Sequence, residues 1–174
     1  MLYREGYTII ILLIAISVLS IGLLVAVPIW QTQIQREKEE ELIFRGKQYV
    51  EAIRRYQIRH PGKFPKNLDE LVEEKCLRKL FKDPIMEHGE WNLILLSQGL
   101  SIKKEQSAQK VLVAPPKALS SIASPNIIGI VSSSTKKSIK IYQDQETYDK
   151  WLFFYGKDPQ KMPEIVYYGK TEKD

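Results

Sequence analysis

"EGYTIIILLIAISVLSIGLLVAVPIW", Glu5 to Trp30, is an apolar stretch near the start of a 174-residue chain. The 22 residues from Ile9 to Trp30 carry no charge and would form a helix about 33 Å long, which matches the apolar thickness of a bilayer. A cleaved secretory signal has a shorter apolar core and a small-residue cleavage site after it. The sequence therefore predicts a retained membrane-spanning helix over residues 7–30.

Composition argues against several classes of function. The formal net charge of +5 is spread along the chain, as on a solvated surface, so nucleic acid is not an expected partner. Cys76 is the only cysteine, which leaves no intramolecular disulfide and no cysteine-rich metal framework. His60 and His88 lie far apart without a carboxylate beside both. No metal, other cofactor or catalytic residue is expected, and the chain is not predicted to be an enzyme.

The residues before the apolar stretch read Arg4-Glu5-Gly6-Tyr7-Thr8-Ile9-Ile10. They resemble the leader junction of the type IV pilin and type II secretion pseudopilin superfamily, in which a short charged leader ends in glycine. The resemblance implies that residues 1–6 are a prepilin leader and that Gly6 is its last residue. It also implies that Tyr7 becomes the mature amino terminus and is N-methylated by the prepilin peptidase that makes the cut.

Two further positions in the apolar stretch bear on this resemblance. Pro28 is the twenty-second residue after the implied cut, where the family commonly has a helix-breaking proline. It would kink or locally melt the helix, or it would mark the end of the membrane span. Ile11 stands where the major subunits of the family carry a glutamate. The resemblance therefore implies either another route of subunit entry or a special place, such as a tip or an initiating position.

Residues 31–60 predict an amphipathic stem helix that continues the apolar one, so that about 50 residues form a single helix. The run EKEEE, residues 37–41, is interpreted as a solvated face of this helix. Breakers in HPGKFP, residues 60–65, end it. Small and apolar side chains at helical spacing predict the buried face: Leu42, Gly46, Tyr49, Ile53 and Tyr56.

Residues 61–174 predict a globular head. Asn67 and Glu70 predict a capping box for a short helix that ends near Lys75. The same segment resembles the pseudopilin branch, in which a G-x-[YF]-P turn, an L-x-x-L helix and a KDP turn precede the sheet. The matching residues are Gly62, Phe64, Pro65, Leu68, Leu71, Lys82, Asp83 and Pro84.

Strand-like patterns follow this segment. They cover residues 90–96, 100–103, 127–131, 139–142 and 151–155, and the last is apolar on both faces, which places it centrally or beneath the stem. Residues 103–126 predict a long surface loop. The fold class is therefore α+β, with a long stem helix, membrane-spanning in its first half and amphipathic in its second, packed on a small antiparallel sheet.

Three clusters in the head have both a functional and a structural interpretation, and the structural one is favoured each time. Ser132 to Thr135, with Lys136 and Lys137, would bind phosphate or form a hairpin turn. Asp144, Glu146 and Asp149 would bind calcium or form a solvated turn. The aromatic run Trp151, Phe153, Phe154 and Tyr155 would stack bases or fill the core.

The resemblance implies a pilin-like subunit, a pseudopilin or minor pilin of a type II secretion or type IV pilus machine. Such a subunit would be inserted in the inner membrane by a single pass, with its head in the periplasm or on the cell surface. It would assemble through its amino-terminal helix. Its partners would be other pilin or pseudopilin subunits, the prepilin peptidase, the inner-membrane assembly platform and the lipid bilayer. The alternative is a signal-anchored membrane protein that never polymerises and whose periplasmic domain binds a ligand or a partner.

Overall fold

The computed structural model describes residues 3–96, 110–122, 124–156 and 162–169, and within helix residues 3–6, 24–26 and 28 it describes the backbone alone. The predicted strand at 100–103 lies outside the described residues. The chain is an α+β protein that divides into two compact units, Met1–Glu37 and Lys38–Asp174.

Helix α1 runs from Tyr3 to Arg59, a length of 57 residues, and it contributes to both units. The backbone stays helical through position 28. The helix stops immediately before the His60-Pro61-Gly62 breakers, where Gly62 adopts a positive φ of 79°, a conformation that favours glycine. The boundary predicted at residue 60 is therefore correct to within one residue.

The expected membrane-spanning first half of α1 is not found. Among the described residues, no helix combines the length and the apolar character needed to cross a bilayer. The membrane-spanning part of the predicted fold class and the single-pass inner-membrane placement are therefore wrong.

A five-stranded sheet forms the centre of the Lys38–Asp174 unit. Its strands, in spatial order, are β6 (Phe153–Phe154), β3 (Ile127–Ser132), β1 (Trp91–Leu96), β2 (Lys110–Ala114) and β7 (Glu164–Tyr167). Strand β7 pairs in parallel with β2, and the other three pairings are antiparallel. The sheet is therefore mixed, and the prediction of an antiparallel sheet is wrong at this one pairing.

Smaller elements complete this unit. They are α2 (Asp69–Glu73), 3-10 helices at Pro116–Ser121 and Tyr148–Lys150, and a separate two-stranded sheet of β4 (Lys137–Tyr142) and β5 (Gln145–Thr147). The backbone N–H of Glu70 donates to Asn67 Oδ1 at 2.8 Å, as the capping box predicts. The Glu70 carboxylate accepts from the backbone N–H of Lys66 at 3.1 Å, one residue before the expected donor.

The carboxyl-terminal part of α1 packs on one face of the five-stranded sheet. Leu42, Tyr49 and Ile53 are fully buried, as their helical spacing predicts, and they share a core with β1, whose Leu93 and Leu95 face them. The other sheet face has its own buried cluster: Ile94, Val111, Val113, Ile128, Val131, Leu152 and Phe154.

Gly46 sets the distance between α1 and the sheet. A Cβ on this residue would lie 2.4 Å from Cγ of Phe153, far inside contact distance, so only glycine lets the ring of Phe153 approach the helix this closely. Of the two positions predicted for the aromatic run at 151–155, the one beneath the helix is correct. The central one is wrong, because β6 is an edge strand.

Two other segments differ from the sequence-based expectation. The described residues between 103 and 126 contain β2 and the 3-10 helix Pro116–Ser121, where a long loop is predicted. The Ser132–Thr135 segment does not close a hairpin, because β3 and β4 belong to different sheets. In both segments long-range strand pairing decides the structure, and local sequence carries little information about it.

Candidate functional site

The Met1–Glu37 unit exposes an apolar helix surface, defined here as the described side chains of α1 from Tyr7 to Trp30. Exposure of its large apolar side chains ranges from 48% at Val27 to 71% at Trp30. The six consecutive residues Ile9 to Ile14 are all more than half exposed. Since consecutive helical residues point about 100° apart, the surface is apolar around the whole circumference of the helix.

The hydroxyl groups of Ser17 and Ser20, within the apolar helix surface, bond to carbonyls of the same helix. The hydroxyl of Ser17 donates to the carbonyl of Leu13, and that of Ser20 donates to the carbonyl of Ile16, both at 2.8 Å. These two serines therefore add no unmet donor to the surface. A helix that is apolar all round is ordinarily a buried one, and exposed patches of this size mark interaction surfaces.

The residues implied by the leader resemblance lie at the start of this surface and within it. Gly6 and Tyr7 lie in the first turns of α1, and Tyr7 is 68% exposed. Ile11 is 52% exposed and lies among apolar neighbours in sequence. Pro28 lies in the helix, and its side chain is outside the described set. Cleavage after Gly6 and methylation of Tyr7 stay predictions.

A buried carboxylate joins α1 to the β4–β5 hairpin, and this arrangement is called the Glu39 clamp. Glu39 is completely buried. Its carboxylate accepts hydrogen bonds from the backbone N–H groups of Ile139 at 2.7 Å and Lys140 at 3.0 Å, and from the hydroxyl of Tyr148 at 2.6 Å. Two successive backbone N–H groups aimed at one anion form an anion-binding concavity. Three donors therefore compensate the burial of the charge.

The β4–β5 hairpin has the irregularity that the Glu39 clamp requires. Its register passes from Lys137 opposite Thr147 to Tyr142 opposite Gln145, so that β4 contributes more residues than β5. The middle of β4 is thereby released from regular pairing, and its N–H groups are available to Glu39. The turn places Gln143 and Asp144 at φ values of 54° and 59°, as in the two-residue turns typical of hairpins.

The solvated-face interpretation of residues 37–41 is therefore wrong at Glu39. The sequence contained a signal for this: Glu39 lies three residues before Leu42, in line with the buried face that continues to Gly46 and Tyr49. Because Glu37, Glu40 and Glu41 are also acidic, the helical spacing of Glu39 relative to the buried face does not stand out in the sequence. Glu40, by contrast, is exposed and pairs with Lys140 Nζ at 2.6 Å.

A second buried carboxylate holds the KDP turn. Asp83 is 2% exposed and accepts from the hydroxyl of Ser132 at 2.6 Å and from the backbone N–H of Ile85 at 2.8 Å. Burial raises the pKa of Asp83, and these two hydrogen bonds oppose the rise. Ser132 is thus a structural partner of the turn, which accounts for the first serine of the predicted phosphate or hairpin segment.

Tyr49 connects α1 to the same turn region. Its hydroxyl donates to the carbonyl of Phe81 at 3.0 Å and accepts from the backbone N–H of Phe81 at 2.9 Å. The indole N–H of Trp91 donates to the same carbonyl at 2.8 Å. Burial raises the pKa of Tyr49 to about 12. These contacts are structural and offer no reactive group.

The remaining candidate residues do not converge. Within the described ranges, no three His, Cys, Asp or Glu side chains are close enough to hold a metal ion. Glu146 pairs with Lys137 at 3.8 Å, and Asp149 accepts from the hydroxyl of Tyr167 at 3.3 Å. Trp151, Phe153 and Phe154 are buried, which confirms their core interpretation, whereas Tyr155 is partly exposed.

A scan against protein-family models, a search of curated proteins and a search of solved structures each found no match to this chain.

Proposed function

We propose that this chain is a pilin-like subunit, a pseudopilin or minor pilin, that assembles into a filament by packing its apolar helix surface against the helices of copies or related subunits. The observation that carries this proposal is the exposure of apolar side chains around the whole circumference of α1 between Tyr7 and Trp30. The leader-like junction at Gly6 and Tyr7 supports it independently.

All-round exposure favours an assembly with several neighbours over a simple dimer. A single partner helix covers one stripe of a helix, which would leave the opposite side of Ile9 to Ile14 in water. Burying a large aliphatic side chain contributes about 1.5–3 kcal/mol. Association costs on the order of 4–15 kcal/mol, so contacts along several stripes readily exceed it. A helical filament supplies neighbours on every side.

The test introduces a charge into the apolar helix surface of the full-length chain in its own host. Ile14→Glu is expected to lower the amount of subunit recovered in sheared filament preparations at least tenfold, because a carboxylate would be buried without a partner. Ile141→Glu is the matched control, since Ile141 is 69% exposed on β4 and lies outside this surface. Equal recovery of the two variants, with wild-type amounts of both in the cell, would refute the proposal.

Mass spectrometry of the subunit purified from that host tests the leader prediction separately. The expected mature chain begins at Tyr7 and carries one added methyl group on its terminal amine. An intact Met1 in cells with an active prepilin peptidase would refute cleavage after Gly6. Assembly into a filament would still be tested by the recovery of the Ile14→Glu variant in filament preparations.

A further inference from the structure

The Lys38–Asp174 unit has a groove beside Phe44, which is called the Phe44 groove. It is an open groove of about 380 Å³ between α1 and the segment that follows α2. Its lining residues are Phe44, Gln48, Arg55, Cys76, Leu77, Arg78 and Phe81.

The groove combines an apolar floor with an exposed aromatic wall. Cys76 and Leu77 are buried at 4% and 6% exposure, and they line it together with the half-buried Phe81. Phe44 is 54% exposed, more than the other exposed aromatic residues of this unit, Tyr155 and Tyr168. Aromatic side chains that remain exposed beside an apolar depression are typical anchors of protein interfaces.

The charged residues of the groove are all positive. None of the described lining residues is acidic, and the two charged ones are arginines. Arg55 uses its Nε to bind Glu51 at 3.1 Å. Arg78 is exposed and has no hydrogen bond or ion pair within the described part of the chain. At least one guanidinium is thus available to a ligand, and guanidinium groups bind carboxylates in two-pronged geometry.

We infer that the Phe44 groove docks an acidic segment of a partner protein that inserts one large apolar side chain onto Leu77 and Phe81 and places a carboxylate against Arg78. Charge complementarity selects the partner. The inference does not require the chain to polymerise.

The groove composition favours a peptide over a nucleic acid. A phosphodiester backbone would satisfy the arginines but has no aliphatic or aromatic side chain to cover the floor. Bases can stack on an exposed phenyl ring, so a single-stranded oligonucleotide serves as the competing probe.

The experiment measures binding of a fluorescently labelled 12-residue peptide, rich in glutamate and carrying leucine and phenylalanine anchors, to the full-length chain in mild detergent. We expect saturable binding that weakens as salt is raised. Phe44→Ala and Arg78→Glu are each expected to weaken it at least tenfold. Both side chains are exposed, so neither variant is expected to unfold the chain, and circular dichroism verifies this.

Matched controls distinguish peptide binding in the groove from nonspecific binding elsewhere on the surface. Ile141→Ala and Lys63→Glu alter exposed apolar and basic side chains outside the groove, and we expect each to change the peptide affinity less than twofold. A peptide with lysine in place of glutamate, and one with serine in place of its apolar anchors, are expected not to bind.

Three outcomes would overturn the inference. The first is no binding of the acidic peptide to the wild-type chain. The second is binding that Phe44→Ala and Arg78→Glu leave unchanged. The third is displacement of the peptide by a 12-nucleotide oligothymidine whose own affinity falls with the same two variants, which would assign the groove to nucleic acid.

Discussion

Replacing Glu39 by glutamine tests whether the Glu39 clamp holds the β4–β5 hairpin on α1. Oε1 accepts from the Ile139 N–H and the Tyr148 hydroxyl, and Oε2 accepts from the Lys140 N–H. A glutamine keeps the size of the side chain and one carbonyl oxygen. Its amide group then faces the N–H of Lys140 with a donor, so at least one partly buried donor loses its acceptor.

The magnitude follows from these three contacts. Hydrogen bonds to a charged group contribute about 1.5–3 kcal/mol each, and a buried donor left unsatisfied costs about 1–3 kcal/mol. Glu39→Gln, which loses one acceptor and the charge, should lower the free energy of unfolding by about 3 kcal/mol. Tyr148→Phe, which loses one donor, should cost about 1–2 kcal/mol. The double variant should cost less than the sum, because Tyr148 donates to the Glu39 side chain and the loss of the Glu39 charge already weakens that hydrogen bond.

Two measurements decide this prediction, with Glu41→Gln as the control. Glu41 pairs with Arg45 at 2.7 Å, both side chains being partly exposed, and an i,i+4 contact of this kind is worth a few tenths of a kcal/mol. Thermal unfolding should show a loss of about 8–10 °C for Glu39→Gln and little change for the control. Hydrogen exchange should accelerate at the amides of Ile139 and Lys140 in Glu39→Gln alone. If those amides stay protected and the unfolding temperature is unchanged, the clamp does not stabilise the hairpin.

Three further outcomes are expected. Gly46→Ala should lower the free energy of unfolding by about 1–3 kcal/mol through overpacking against Phe153. Gly22→Ala is the control: its Cβ meets nothing within 4 Å, and it should not lower stability because alanine favours the helix. Equal thermal stability of the two variants would contradict this prediction. Burial raises the pKa of Asp83 above its ordinary value of 3.8, so the stabilisation that comes from protonated Asp83 is full below pH 3.8 and is lost as the pH rises through the raised pKa. Urea unfolding across this range should show the stability of the wild type falling relative to Asp83→Asn. A stability difference that does not change with pH would refute this prediction. Tyr49→Phe should cost about 1–2 kcal/mol in urea unfolding, and an unchanged midpoint would show that its two main-chain hydrogen bonds contribute nothing.

Local patterns in the sequence predict a considerable part of this molecule. The helical spacing of Leu42, Tyr49 and Ile53 identifies the buried face of α1, because a helix repeats every 3.6 residues whatever packs on it. The breakers at residues 60–65 place its end. The strands at 91–96 and 127–132 are apolar enough to be recognised before any partner is known.

The candidate functional sites were likewise only partly predictable from the sequence. The apolar stretch from Ile9 to Trp30 is visible in the sequence, and so is its lack of charge. The sequence leads from there to a membrane span, a conclusion that the described residues do not support. The groove beside Phe44 is not foreseeable, since its two walls are more than 20 residues apart in the chain.

The sequence by itself determined the buried face of α1 and the apolar strands, because the hydropathy of each side chain and its helical or alternating spacing are local properties. Only the tertiary structure decided which groups face one another. Glu39 meets the N–H of Ile139 one hundred residues later, and β7 lies parallel to β2 across an intervening chain of about 50 residues. Such pairings depend on the geometry of the whole sheet and its packing, because a short segment such as EIVY at 164–167 fits many neighbours equally well.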